Sequence, residues 1–116
     1  MIYMNNKRKI INKQWGFEEI LEINNYYTVK RLVLLKDHQC SLQYHQKKKE
    51  TVISIIGNLN IYLDNKLIIL NPGEYITIKP GKKHRMKAIG TDCHYVECST
   101  SDLDDVVRIE DDYGRI

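Results

Sequence analysis

Short runs of apolar and β-branched residues, broken by polar turn signals and with little helical periodicity, make up most of this chain. Residues 17–23 and 26–35 read as strands separated by Asn24-Asn25, and residues 41–46 as a short strand. Residues 51–56 are rich in β-branched side chains, which suit a pleated surface. Residues 60–63 and 66–70 flank Asp64-Asn65, a two-residue hairpin signal. Two turns, Asn71-Pro72-Gly73-Glu74 and Lys79-Pro80-Gly81-Lys82, bracket a strand over residues 74–78. Further strands are expected over residues 84–89 and 93–98, and a short helix or extended arm over 103–107. Strands this short, with turns this frequent, predict an all-β barrel or sandwich. The expected organisation is an arm over residues 1–12 and one domain over residues 13–116.

The 116 residues suffice for one domain with a core of its own, and no apolar run is long enough to cross a bilayer as a helix. Met1 to Lys9 lacks the apolar stretch of a secretory signal, so a cytoplasmic setting is expected. Cys40, Cys93 and Cys98 form no C-x-x-C pair, which agrees with a reducing compartment and with small buried thiols. Net charge is only +3, yet it is unevenly spread. Lys47-Lys48-Lys49 and Lys79, Lys82, Lys83, Arg85 and Lys87 crowd two segments, while acids gather in the tail from Asp102 to Asp112. Such clustering draws anionic small molecules. Zinc-finger spacing, a helix-turn-helix pattern and an aromatic stripe are all missing, so neither nucleic acid nor a membrane is an expected partner.

The two basic segments also carry candidate metal ligands. Residues i and i+2 of a strand share a face, so Gln43 and His45 can point together, with Glu50 and His84 arriving from neighbouring strands. An O, N, O, N set suits zinc, manganese or iron with a position left for substrate. The same residues have a plainer reading, as imidazoles hydrogen-bonded in a core and an amide that binds a substrate hydroxyl. His94 alternates with Cys93 and Tyr95, which also permits a structural role.

Gln43-x-His45, then Glu50 and Gly57, resembles the first motif of the cupin family, with Gln in place of the usual first His. Gly73, Gly81 and His84 resemble the second motif. Within the cupins the chain is most similar to the type II mannose-6-phosphate isomerase domain, often fused behind a mannose-1-phosphate guanylyltransferase. That similarity takes in Trp15-Gly16, Val29-Lys30-Arg31, Tyr75-Ile76, Lys83-His84-Arg85, Asp104 to Asp111 and Tyr113-Gly114-Arg115. Where the family tends to read His-x-His-Arg-Ala-Glu-His-Trp, this chain has His45-Gln46-Lys47-Lys48-Lys49-Glu50-Thr51-Val52. Thus Lys47 replaces a His, Lys48 an Arg, Thr51 a His and Val52 a Trp.

The resemblance implies a small single-domain cupin, a jelly-roll barrel, that pairs as a homodimer. It also implies a metal-dependent sugar-phosphate isomerase, converting mannose 6-phosphate to fructose 6-phosphate for activated sugars and surface polysaccharides. In that reading Gln43, His45, Glu50 and His84 hold the divalent metal. A metal-bound hydroxide, Lys47, His94 and Glu97 are the candidates for moving the proton between C1 and C2. Lys30, Arg31, Lys83, Arg85 and Arg108 are the cations available to a phosphorylated sugar or sugar nucleotide, although adjacent Lys30 and Arg31 cannot both face inward. Two alternatives stand beside it. One is a cupin that binds such a ligand without turnover, favoured by the altered residues around Glu50. The other is a different cupin enzyme, an epimerase or an iron-dependent oxygenase built on His45, Glu50 and His84.

Overall fold

The computed structural model describes residues 9–102 and 104–116. Their regular elements are all strands: β1 (Lys9–Lys13), β2 (Gly16–Ile23), β3 (Thr28–Leu34), β4 (Leu42–Tyr44), β5 (Glu50–Ile56), β6 (Leu59–Leu63), β7 (Lys66–Leu70), β8 (Tyr75–Ile78), β9 (His84–Ala88), β10 (Cys93–Ser99) and β11 (Val107–Glu110). They form a six-stranded sheet, β1-β2-β3-β10-β5-β8, and a five-stranded sheet, β11-β4-β9-β6-β7, with antiparallel pairing throughout. The two inner faces enclose a core of Trp15, Leu32, Leu34, Val52, Leu59, Ile61, Leu70, Ile78, Met86, Ala88, Cys93 and Tyr95. Among the described residues no helix is long and apolar enough to cross a membrane.

Alternation decides what each strand contributes. Along β10 the residues are buried and half-buried in strict turn, Cys93, Tyr95, Glu97 and Ser99 pointing in. On β9 His84, Met86 and Ala88 point in, and on β5 Glu50, Val52 and Ser54 do. The Asp64-Asn65 hairpin forms as its sequence predicts, with φ of 46° and 49° at the two residues and Leu63 paired to Lys66. Gly57 ends β5 at φ 79°, where an added Cβ would lie 2.6 Å from the Asp92 carbonyl oxygen, so only glycine fits. The Gly81 amide donates to the His45 carbonyl at 2.7 Å and thereby ties the second glycine-rich turn to the first ligand segment.

Two expectations about the chain ends need correction. Lys9–Lys13 is an edge strand paired with β2 from Lys9↔Ile20 to Lys13↔Gly16, so residues 9–12 belong to the sheet and not to an arm. Its side chains alternate poorly because only the backbone is satisfied there; Ile10 remains 56% exposed. Residues 1–8 of the expected arm lie outside the described residues. The element expected over 103–107 begins at Val107 and is a strand, because β4 offers it an open edge. Leu103 lies outside the described residues as well.

Candidate metal centre

His45, Glu50 and His84 come together as the sequence reading requires. One ligand atom from each lies within 4.8 Å of the others, and all three residues are buried. Glu50 begins β5, His84 begins β9, and His45 follows β4 immediately, so adjoining strand ends converge at one end of the barrel. Gln43 pairs across the sheet with His84 and reaches the same cavity, its Oε1 accepting a hydrogen bond from Ser41 Oγ at 2.7 Å.

The imidazoles are oriented from behind. His45 Nδ1 faces the Asp105 carbonyl oxygen and His84 Nδ1 the Lys82 carbonyl oxygen, the latter at 2.9 Å. A carbonyl only accepts, so each Nδ1 carries the proton and the neutral ring is left with a bare lone pair on Nε2. Both Nε2 atoms are buried without a hydrogen-bond partner. They lie 3.7 and 3.0 Å from Glu50 Oε1, which also only accepts. Three lone-pair donors facing one another across a buried space repel until a cation sits between them. This donor set therefore fits a divalent metal, with His45, Glu50 and His84 as ligands and the Gln43 oxygen at hand as a fourth. Burial works against the Glu50 charge; in the absence of a metal, hydrogen bonds from His45 and His84, made when their Nε2 atoms carry protons in its place, and the Lys48 charge overcome it and hold the carboxyl well below its usual range.

Beside this cluster lies a buried ion triad that the sequence did not reveal. Lys48 Nζ sits 3.4 Å from Glu50 Oε2 and 3.2 Å from Glu97 Oε1, and Lys48 is only 6% exposed. The cavity in front of these groups measures about 170 Å³ and opens to solvent. Trp15 and Tyr95 line it together with Lys13, Glu18, Lys30, Arg108 and Arg115. Lys30 is paired with Glu18 at 3.6 Å and Arg115 with Asp111 at 2.7 Å. Among the described residues Lys13 and Arg108 have no acidic partner, and Arg108 Nε is buried without an acceptor. Two free cations at the mouth of a small cavity suit an anionic ligand.

Other expected participants lie elsewhere. Lys47 is exposed and contributes only its backbone amide to a contact with Asp105. His94 occupies the outward parity of β10, its Nδ1 3.4 Å from Arg31 Nη1. Arg31 in turn pairs with Glu19 at 3.3 Å and lies over the Phe17 ring, on the face away from the cavity that its neighbour Lys30 lines. Lys83 and Arg85 line a separate outer depression with Tyr62 and Asp64, where Arg85 is paired with Glu110 and Asp112. Of the three residues expected to move a proton, Glu97 reaches the cavity; of the five expected cations, Lys30 and Arg108 do. Strand parity explains each exclusion on a strand, since one step along the chain reverses the side chain. Lys48 and Lys13 were missed because one sits in a loop without periodicity and the other on an edge strand.

Comparison with known proteins gives the arrangement its relatives. The xanthan biosynthesis protein XanB of Xanthomonas campestris pv. campestris is 27% identical over 109 residues, covering 90% of this chain and 23% of that protein. The mannose-1-phosphate guanylyltransferase of Escherichia coli is 26% identical over 110 residues, covering 91% and 23% respectively. The chain thus spans about a quarter of the length of these curated relatives. Among solved structures, a cupin-2 domain protein from Rhodospirillum rubrum superposes with a TM-score of 0.81 at 12% identity, over 94% of this chain and 80% of that one. The architecture is that of the cupin jelly roll. Residues 3–111 match the family model described as mannose-6-phosphate isomerase C-terminal, and the chain belongs to that family.

Proposed function

We propose that this cupin is a metal-dependent sugar-phosphate isomerase that interconverts mannose 6-phosphate and fructose 6-phosphate, in the cytoplasm, for the synthesis of activated sugars and surface polysaccharides. The observation that carries the reading is the pairing, within one cavity, of the aimed donor set with a buried Lys48–Glu97 couple. A divalent zinc, manganese or iron ion held by His45, Glu50, His84 and Gln43 would supply Lewis-acid stabilisation of negative charge developing on a substrate oxygen.

The remaining chemistry belongs to the side chains. Isomerisation removes the proton from C2 of the open-chain aldose and delivers one to C1, while a hydroxyl proton passes from O2 to O1. Glu97 is the base for the carbon-bound proton, and Lys48 pairs with its carboxylate and donates toward the substrate oxygens. Arg108 and Lys13, with Lys30 and Arg115, receive the phosphate. The departures from the family pattern weigh less than the sequence suggests. Thr51 points outward, bonded to Thr77 at 2.9 Å, and Lys47 is exposed, so neither change strips the cavity. Val52 is core, and Lys48 keeps a cation at the position where the family has Arg.

A coupled assay with added divalent metal tests this reading, with fructose 6-phosphate expected from mannose 6-phosphate. Absence of turnover, with mannose phosphates still raising the melting temperature, would replace it by a binding cupin. The two-histidine, one-carboxylate face also matches iron oxygenases, and oxygen uptake with ferrous iron would favour that second reading. Self-association is part of the proposal. Leu67 and Ile69 on β7 and Tyr75 on β8 are more than half exposed on the edge strands of the two sheets, apolar surface that a second copy would cover. Light scattering reads the oligomeric state.

A further inference from the structure

The loop between His45 and Glu50 carries Lys48 and joins two ligands, yet its backbone makes no sheet. Its amides are satisfied instead by one short segment near the C-terminus. The Asp105 carboxylate accepts from the amides of Gln46, Lys47 and Lys48, at 3.0 Å for Gln46 and 2.9 Å for Lys48. Thr100 Oγ1 accepts from the Lys49 amide at 3.2 Å, and the Lys49 carbonyl accepts from the Thr100 amide at 3.0 Å. The carbonyl of the same Asp105 accepts the Nδ1 proton of His45. One residue therefore sets the ring of a ligand through its main chain and the path of the neighbouring loop through its side chain. The carboxylate is thus the one acceptor shared by three successive loop amides.

We infer that Asp105 is a positioning residue for the metal centre, preorganising His45 and Lys48 so that metal affinity depends on a carboxylate that touches neither the metal position nor the cavity. The inference rests on the metal-centre reading above. Without the carboxylate three adjacent amides lose a shared acceptor, the peptide bearing the Asp105 carbonyl loses its anchor, and the His45 ring is free to swing its Nε2 away from Glu50. The coupling is reciprocal: metal binding also secures Thr100 and Asp105 against the loop.

Titration of metal-free protein with Zn²⁺ and Mn²⁺ separates this role from a contribution to folding alone. Asp105→Ala is expected to weaken affinity by about 10- to 100-fold, the usual effect of losing a group that orients a ligand. Asp92→Ala is the control, since its carboxylate accepts the Lys36 amide at 2.7 Å outside the cavity; it should lower the melting temperature and leave affinity unchanged. Asp105→Asn keeps one acceptor oxygen and should fall between Asp105→Ala and the unaltered protein. It also serves if the alanine variant does not fold. Affinity within twofold of the unaltered protein, in whichever Asp105 variant folds, overturns the inference alone. Failure of the unaltered protein to bind either metal overturns the metal-centre reading, and this inference with it.

Discussion

The two ends of the barrel are built on the same strands and carry opposite chemistry. Reading inward positions along β9 gives His84, Met86 and Ala88; along β5, Glu50, Val52 and Ser54; and backward along antiparallel β10, Glu97, Tyr95 and Cys93. Each row starts polar and its next inward residue, Met86, Val52 or Tyr95, joins the apolar packing around Leu34, Leu59 and Ile61. The apolar end is satisfied as it stands, its side chains in mutual contact and hidden from water. The other end holds buried donors without partners and a lysine caught between two carboxylates. One end thus stabilises the fold, while the other stores unsatisfied interactions that a metal and an anionic ligand can relieve.

The largest effects should come from exchanging losses between the ends. Glu50→Gln combined with His84→Ala should abolish metal binding, by more than about 100-fold in affinity, because one aimed donor disappears and another loses its charge. Retention of stoichiometric zinc or manganese in that variant would refute the ligand assignment. Leu59→Ala should do the reverse, costing about 2–5 kcal/mol of stability in chemical denaturation while metal affinity in the folded protein is kept. Next comes Lys48→Met, which preserves length and removes the charge. Turnover should fall about 100-fold or more. Metal-free stability should drop as well, because Glu50 and Glu97 then face each other uncompensated. Unchanged turnover would remove Lys48 from the chemistry.

Much of this contrast was legible in the chain itself. Short apolar runs bounded by turn signals located β7 to the residue and β2, β3, β4, β5, β6, β8, β9 and β10 to within a residue or two at each end. The convergence of the candidate ligands was legible because strand parity fixes which of two neighbours points inward, and Gln43-x-His45 satisfies that rule. Parity also separates Lys30 from Arg31 and Glu97 from its outward neighbours, but only once the register of a strand against the core is known. Sequence alone leaves that register open for His94. In the loop from Gln46 to Lys49 there is no period at all, so three successive lysines look alike. Lys48 is distinguished by Glu97, which lies on β10 far along the chain. Asp105, Arg108 and Lys13 are drawn to the site from the two ends of the chain, a long-range placement that local patterning does not encode.

Smaller effects sharpen the picture at the cavity rim. Arg108→Gln should raise KM for a phosphorylated sugar about tenfold, with little change in kcat, because the side chain is placed for binding and not for proton transfer. An equal loss in kcat would mean that Arg108 acts in the transition state. Competition by inorganic phosphate should weaken in parallel, since the same unpaired guanidinium receives either anion.

The smallest effect is a pH dependence in the tail that carries these cations. Arg115 donates to both oxygens of Asp111, at 2.7 Å to Oδ1 and 2.9 Å to Oδ2, and its amide also donates to Oδ2 at 2.7 Å. The Arg115 side chain foremost, against a smaller opposing effect of burial, holds the Asp111 carboxyl down to about 2. An unfolded chain would titrate this group near ~3.9. Because the folded value is the lower one, the contribution is fully present above about pH 4 and is lost as pH falls toward about 2. Its size should be about 1 kcal/mol, the upper range for a solvent-screened ion pair. Denaturation of the unaltered protein and of Asp111→Asn across pH 2 to 6 isolates it, since Glu50 and Asp105 are also held low and contribute the same sign to both. The two stability curves should converge at acid pH and separate above about pH 4. Parallel curves would mean that the Asp111–Arg115 clasp leaves the tail's stability unchanged, and that strand pairing of β11 with β4 is enough to hold Arg108 at the cavity.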